Sequence, residues 1–165
     1  NNDPKKALDR WFGFKDFRPE PADEFGRPLQ EVIVSSAMKG ESLLGILPTG
    51  TGKSICYQIP ALSRFDKTGA LTVVISPLVA LMADQVEGMR RQGITSCVTI
   101  NGMLSMPERQ EALNQVRLGD AAMLLISPEE KIIPTGSFLL IEPMLRDELS
   151  WQEGWMKIRC LEWWA

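Results

Sequence analysis

Apolar and polar positions change period several times along the chain, and each change marks an element. Pro4 to Trp11 reads as a short helix, with Asp3 as its N-cap and Pro4 at its first position. Phe17 to Pro28 holds three prolines, a glycine and several acids, which predicts an exposed loop. Leu29 to Met38 returns to helical spacing, with Leu29, Val32, Ile33 and Ala37 on one face. The run Ser42-Leu43-Leu44-Gly45-Ile46-Leu47 is short, apolar and stopped by Pro48, as a buried strand would be. Ser54 to Leu62 predicts a helix, and Leu71 to Ile75 a β-branched strand. Val79 to Arg91 is an amphipathic helix with Leu81, Met82, Val86 and Met89 inward. Cys97 to Ile100 is a third strand, Pro107 to Leu118 a helix, and Ala122 to Ile126 a fourth strand. Strands alternating with helices of this length imply βαβ units and a parallel sheet with helices on both faces. Met38, Met82, Met89 and Met123 read as core filler.

No helix or strand period holds from Lys131 to Ala165, where Trp151, Trp155, Trp163 and Trp164 crowd the last 15 residues. This segment reads as a divergent end or as a frame-shifted translation. The expected division is an α/β domain over 1–129, incomplete at its C-terminal end, and a tail over 130–165.

Composition narrows the chemistry. The 165 residues are 44% hydrophobic and 24% charged, an ordinary globular balance. No run approaches the ~18 apolar residues of a membrane span. The first residues have no apolar stretch behind their charges, so they do not read as a signal peptide. The chain does not begin with Met, and is expected to be processed or part of something longer. Cys56, Cys97 and Cys160 are too scattered for a disulfide framework or a zinc site, and a reducing cytoplasm is expected. There is no histidine, which removes Ser-His-Asp and Cys-His catalysis. A net charge of −3 leaves no basic field over the whole surface, so any nucleic-acid contact must be local. Arg90-Arg91 reads as a solvated helix end.

The strongest chemical signal is Pro48-Thr49-Gly50-Thr51-Gly52-Lys53-Ser54, between a predicted strand and a predicted helix. Glycines let several N–H groups face one anion, and the helix N-terminus adds its dipole. Lys53 would reach the β- and γ-phosphates of ATP, and the Ser54 hydroxyl would ligate Mg²⁺. The strict pattern G-x-x-x-x-G-K-[ST] fails at its first glycine, which falls on Leu47. A Gly-rich turn with a chance lysine is the bland alternative, and the order strand, loop, helix argues against it.

Leu47 to Leu62, with its Cys56-Tyr57-Gln58-Ile59-Pro60 continuation, resembles motif I of RecQ-like superfamily 2 DNA helicases. Val74 to Val86 resembles motif Ia, and Leu125-Ile126-Ser127-Pro128-Glu129 the next DNA-facing motif. Trp11 to Pro19 looks like the leading element of that family, which ends in Phe-Arg-Pro and runs on to an adenine-reading Gln. Here Glu20 to Gly26 intervene, and Arg27-Pro28-Leu29-Gln30 repeats the ending. Gln30 stands 23 positions before Lys53, so the resemblance gives it the adenine role. A plain helix-start residue is the alternative, and the family's arginine could be Arg18 or Arg27.

The resemblance implies a RecA-like P-loop NTPase domain that uses ATP and Mg²⁺. It implies hydrolysis coupled to 3′–5′ translocation on single-stranded or partly duplex DNA. Ser76, Pro77 and Ser127 would contact the DNA backbone. Ser76-Pro77 also reads simply as a strand stop and helix start, a role compatible with that contact. The family's Asp-Glu-Ala-His cannot be intact without histidine. Asp147-Glu148 is the nearest substitute, although an exposed helical pair of acids describes it better. The second RecA-like domain of the family would be a further partner. The chain alone would then hydrolyse little, and a non-hydrolysing nucleotide-binding or interaction module is the alternative reading.

Overall fold

A computed structural model describes residues 3–76, 78–127 and 155–158. Pro77, the Asp147-Glu148 pair and most of the tail lie outside the described residues. Contacts divide the chain into two units, one up to Gly69 together with 155–158, the other from Ala70 onward.

The first unit holds helices α1 (Pro4–Phe12), α2 (Leu29–Met38) and α3 (Ile55–Thr68) and strand β1 (Leu43–Ile46). Asp3 caps α1 as its sequence position predicts, accepting from the N–H groups of Lys5 and Lys6. Ala7, Leu8, Phe17, Val34 and Ile59 join the three helices and the 13–28 loop in one apolar cluster. Ile33, Leu47 and Cys56 form another. The inward face of α2 is broader than the periodicity suggests: Gln30, Ile33, Val34 and Ala37 are buried, while Leu29 and Val32 are only partly so.

Strand β1 departs from its expected setting. It pairs antiparallel with β5 (Trp155–Ile158), from Leu43 opposite Ile158 to Ile46 opposite Trp155. The tail therefore contributes a strand where its sequence shows no period. An apolar run reads as covered on both faces, yet Leu44 and Ile46 are exposed and only Gly45 is buried. One face of β1 is therefore uncovered, and its burial alternates along the strand.

The second unit is a parallel sheet in the order β2 (Thr72–Ile75), β4 (Met123–Ile126), β3 (Cys97–Ile100). The register is even: Ile75 and Ile100 both lie opposite Ile126. Every residue of the central strand β4 is buried, as a doubly covered strand requires. Helix α5 (Met106–Arg117) brings Ala112, Leu113 and Val116 onto Val98, Ile100, Leu124 and Ile126. Its start is fixed by a reciprocal capping box between Ser105 and Glu108. Helix α4 (Val79–Arg91) packs on β3 and buries Met82 and Met89, but Leu81, expected inward, is exposed. No described helix is long and apolar enough to cross a membrane.

Cys56 and Cys97 are buried free thiols, and loss of hydration pushes both up to about 12 from their ordinary value. Above about pH 9 the unfolded chain sheds thiol protons that the folded chain keeps. Stability is therefore expected to fall as pH rises from 9 toward 12. Equilibrium unfolding at pH 8 and pH 10, with and without Cys97→Ala, checks this. The variant should lose less stability over that interval than the native chain.

Candidate nucleotide site

The loop Pro48–Ser54 lies between β1 and α3, and both of its ends are anchored. Leu47 before it and Cys56 after it are buried in one cluster with Ile33 of α2. Gly50 and Gly52 adopt φ of 81° and 76°, a left-handed conformation that costs other L-residues about 1–2 kcal/mol.

Carbonyls of the loop and of Leu47 before it are met by side-chain donors. Thr51 Oγ1 donates to Pro48 O at 2.7 Å, and Lys53 Nζ to Leu47 O at 3.1 Å. Gln30 Nε2 donates to Thr51 O at 2.7 Å and to Gly52 O at 3.0 Å. Arg18 Nη1 donates to Gly50 O at 2.8 Å. Among the described residues, no N–H from Thr49 to Ser54 donates to a backbone carbonyl. Carbonyls engaged by side chains, with amides free of backbone partners, are what an anion-binding loop requires. Ser54 precedes α3 and makes no side-chain cap bond, so its hydroxyl remains available at the helix's positive end.

Gln30 is 2% exposed, and its amide is engaged at both ends. Oε1 accepts from the Arg18 backbone N–H at 3.2 Å. Both amide hydrogens are used by the loop, while one lone pair of Oε1 remains. That lone pair suits the N6 amino group of adenine and opposes the O6 of guanine. A bond to adenine N7 would require Nε2 to release a loop carbonyl.

The expected arginine ambiguity has a geometric outcome. Arg18 reaches the loop, whereas Arg27 turns to Asp23, with Nη2 to Oδ2 at 2.7 Å. Sequence reading did not place Arg18 on the loop. A signal for it was present: Asp23-Glu24-Phe25-Gly26 has Asp first and Gly fourth, a turn signature that closes the excursion between Arg18 and Gln30.

Mg²⁺ usually keeps several waters and is held by phosphate oxygens with one or two protein ligands. A single available hydroxyl at Ser54 fits that demand. Among the described residues there is no preformed cluster of acidic or cysteine ligands.

In the second unit, Ser76 and Ser127 follow β2 and β4 directly, and Ser76 N–H donates to Ile126 O at 2.9 Å. The Ser76 hydroxyl accepts weakly from Leu78 N–H at 3.4 Å. Ser127 is buried at 4% exposure, so its hydroxyl does not stand on the surface as Ser76 partly does.

The family model described as DEAD/DEAH box helicase matches residues 27–138. The chain belongs to the DEAD/DEAH box helicase family. Within it, the similarity is to RecQ helicases. The ATP-dependent DNA helicase RecQ of Haemophilus influenzae is 38% identical over 130 residues, 79% of this chain and 19% of that protein. The RecQ protein of Synechocystis is 38% identical over 142 residues, 86% of this chain and 27% of that protein. Human ATP-dependent DNA helicase Q4 is 40% identical over 103 residues, 62% of this chain and 8% of that protein. The chain thus spans about a quarter or less of these curated relatives. The RecQ-like and α/β RecA-like readings of the sequence agree with this membership.

Gly50 and Gly52 share their backbone strain but not their surroundings. A Cβ at Gly50 meets nothing within 4 Å, whereas one at Gly52 meets Gln30 Nε2 at 2.8 Å. Gly52→Ala is therefore expected to destabilise more than Gly50→Ala, by the additional ~1–3 kcal/mol of a displaced buried amide. Urea denaturation of both variants measures the difference, and equal losses would contradict the Gln30 contact.

Proposed function

We propose that this chain is the nucleotide- and DNA-binding part of an ATP-dependent, RecQ-like DNA helicase. The observation that carries the reading is the anchored loop, with its amides open and Lys53 beside them. On nucleotide binding, Lys53 Nζ leaves Leu47 O and turns to the β- and γ-phosphates. The open N–H groups cradle the same phosphates, and Pro48, Thr49, Gly50, Thr51 and Gly52 set the curvature of that cradle. Ser54 Oγ would hold Mg²⁺, which when bound neutralises charge on the phosphate oxygens. Gln30 faces adenine through the remaining lone pair of Oε1.

The DNA backbone is assigned to the C-terminal edge of the parallel sheet, the usual binding edge of open α/β sheets. Ser76, Pro77 and Ser127 are assigned to that contact, as the family resemblance implies. Such contacts do not read bases, which suits a motor that steps along any sequence. Translocation from 3′ to 5′ follows the family resemblance, and a cytoplasmic setting follows the three scattered cysteines. A second RecA-like domain would complete the site by supplying an arginine finger.

A second reading, a nucleotide-binding module without turnover, has one observation in its favour. The sequence contains no histidine, so Asp-Glu-Ala-His is not intact. DNA-stimulated ATPase activity of a protein containing this chain separates the two readings, since only the helicase hydrolyses ATP.

Lys53→Ala removes one charge-assisted contact to phosphate and should weaken Mg·ATP binding about 10- to 100-fold. Titration with a fluorescent ATP analogue measures this. Equal binding by the variant and the native chain would refute the loop assignment.

A further inference from the structure

Between the two Arg-Pro copies lies a small closed hairpin. Asp23 N–H donates to Arg27 O at 2.9 Å, Leu29 N–H to Pro21 O at 2.9 Å, and Ala22 bridges Pro28. Gly26, at φ 75°, makes the turn and donates to Asp23 O at 3.0 Å. One carboxylate ties the hairpin shut. Asp23 Oδ1 accepts from Phe25 N–H at 3.0 Å and Arg27 N–H at 2.8 Å, while Oδ2 accepts from Arg27 Nε at 2.7 Å.

The ends of this hairpin are where the nucleotide loop is held. On one side Phe17 is buried in the helical cluster, and the next residue is Arg18. On the other side Gln30 stands in the first turn of α2. Arg18 N–H meets Gln30 Oε1, and the two side chains then take three consecutive loop carbonyls, Gly50 O, Thr51 O and Gly52 O. The family match begins at Arg27 and does not reach Arg18.

We infer that Arg18 is a positioning residue for the phosphate loop, and that the Asp23–Arg27 clasp holds it in place. The inserted hairpin couples a surface ion pair to the shape of the nucleotide site. Arg18 acts on the Gly50 carbonyl and so turns the amides beyond it inward. Arg18→Ala keeps the backbone N–H that meets Gln30, and removes only the guanidinium. Asp23→Ala leaves Arg18 intact and removes what closes the hairpin around it.

The inference rests on the nucleotide-site reading only for its binding measurement, so two readouts are needed. The first uses the nucleotide-free chain labelled with ¹⁵N-glycine. Arg18→Ala and Asp23→Ala are each expected to move the Gly50 and Gly52 amide signals in the same direction. Gly119, in the other unit, should stay in place and serve as the reference. The second is the affinity for Mg·ATP, which Arg18→Ala should weaken by about tenfold, the scale of one charge-assisted hydrogen bond. Asp23→Ala should weaken it by no more than that. The double variant should match Arg18→Ala alone, because both changes break the same path. Arg18→Lys should restore part of the affinity. The inference is overturned if Arg18→Ala leaves the Gly50 and Gly52 signals in place, or if the two substitutions add. Signals that move in a chain with no affinity for nucleotide would instead refute the proposed function and uphold the brace.

Discussion

A side-chain amide removed from water must find hydrogen-bond partners inside the protein, or it costs about 1–3 kcal/mol. Gln30 is such an amide, and its partners are the Arg18 backbone and two carbonyls of the phosphate loop. The surroundings follow from this requirement. Gly52 must lack a Cβ because the Gln30 nitrogen lies where it would stand. Two loop carbonyls face Gln30, and their neighbours' amides remain open to an anion. The residue proposed to face adenine and the loop proposed to hold phosphate are thereby joined by hydrogen bonds within the chain itself.

Burial supplies the rigidity behind that contact. Leu47 and Cys56 fix the two ends of the loop against Ile33, and Phe17 fixes the residue preceding Arg18. The second unit is organised by its central strand, with Val98, Ile100, Leu124 and Ile126 covered by α5. Its even register sets the turns at Ser76 and Ser127 side by side on one sheet edge. A loop held in this way would bind phosphate with little further ordering at the moment of association.

Much of this was legible in the sequence because local signals and burial agreed. Asp3-Pro4 marked a helix start, β-branched runs marked β2 and β3, and Val79–Arg91 carried its helical period to both ends. The loop motif declared its own strand–turn–helix context. What was not legible depended on distant partners. Leu44 and Ile46 read as buried, but their surroundings are set by pairing with 155–158, a segment with no period of its own. Leu81 has the spacing of a core residue yet stays exposed. Arg18 and Arg27 sit in near-identical Arg-Pro settings. In space they part: the Asp23 carboxylate captures Arg27, whereas Arg18 reaches Gly50 O.

The central claim is that a loop held by Gln30 presents its amides to phosphate and one oxygen lone pair to adenine. Calorimetric titration of the chain with Mg·ATP and with Mg·GTP tests it most directly. The account predicts saturable binding of both through the phosphates, with ATP tighter because its amino group meets Gln30 Oε1 where guanine presents an oxygen. Equal affinity for the two nucleotides would contradict the role of Gln30, and no binding of either would contradict the site itself.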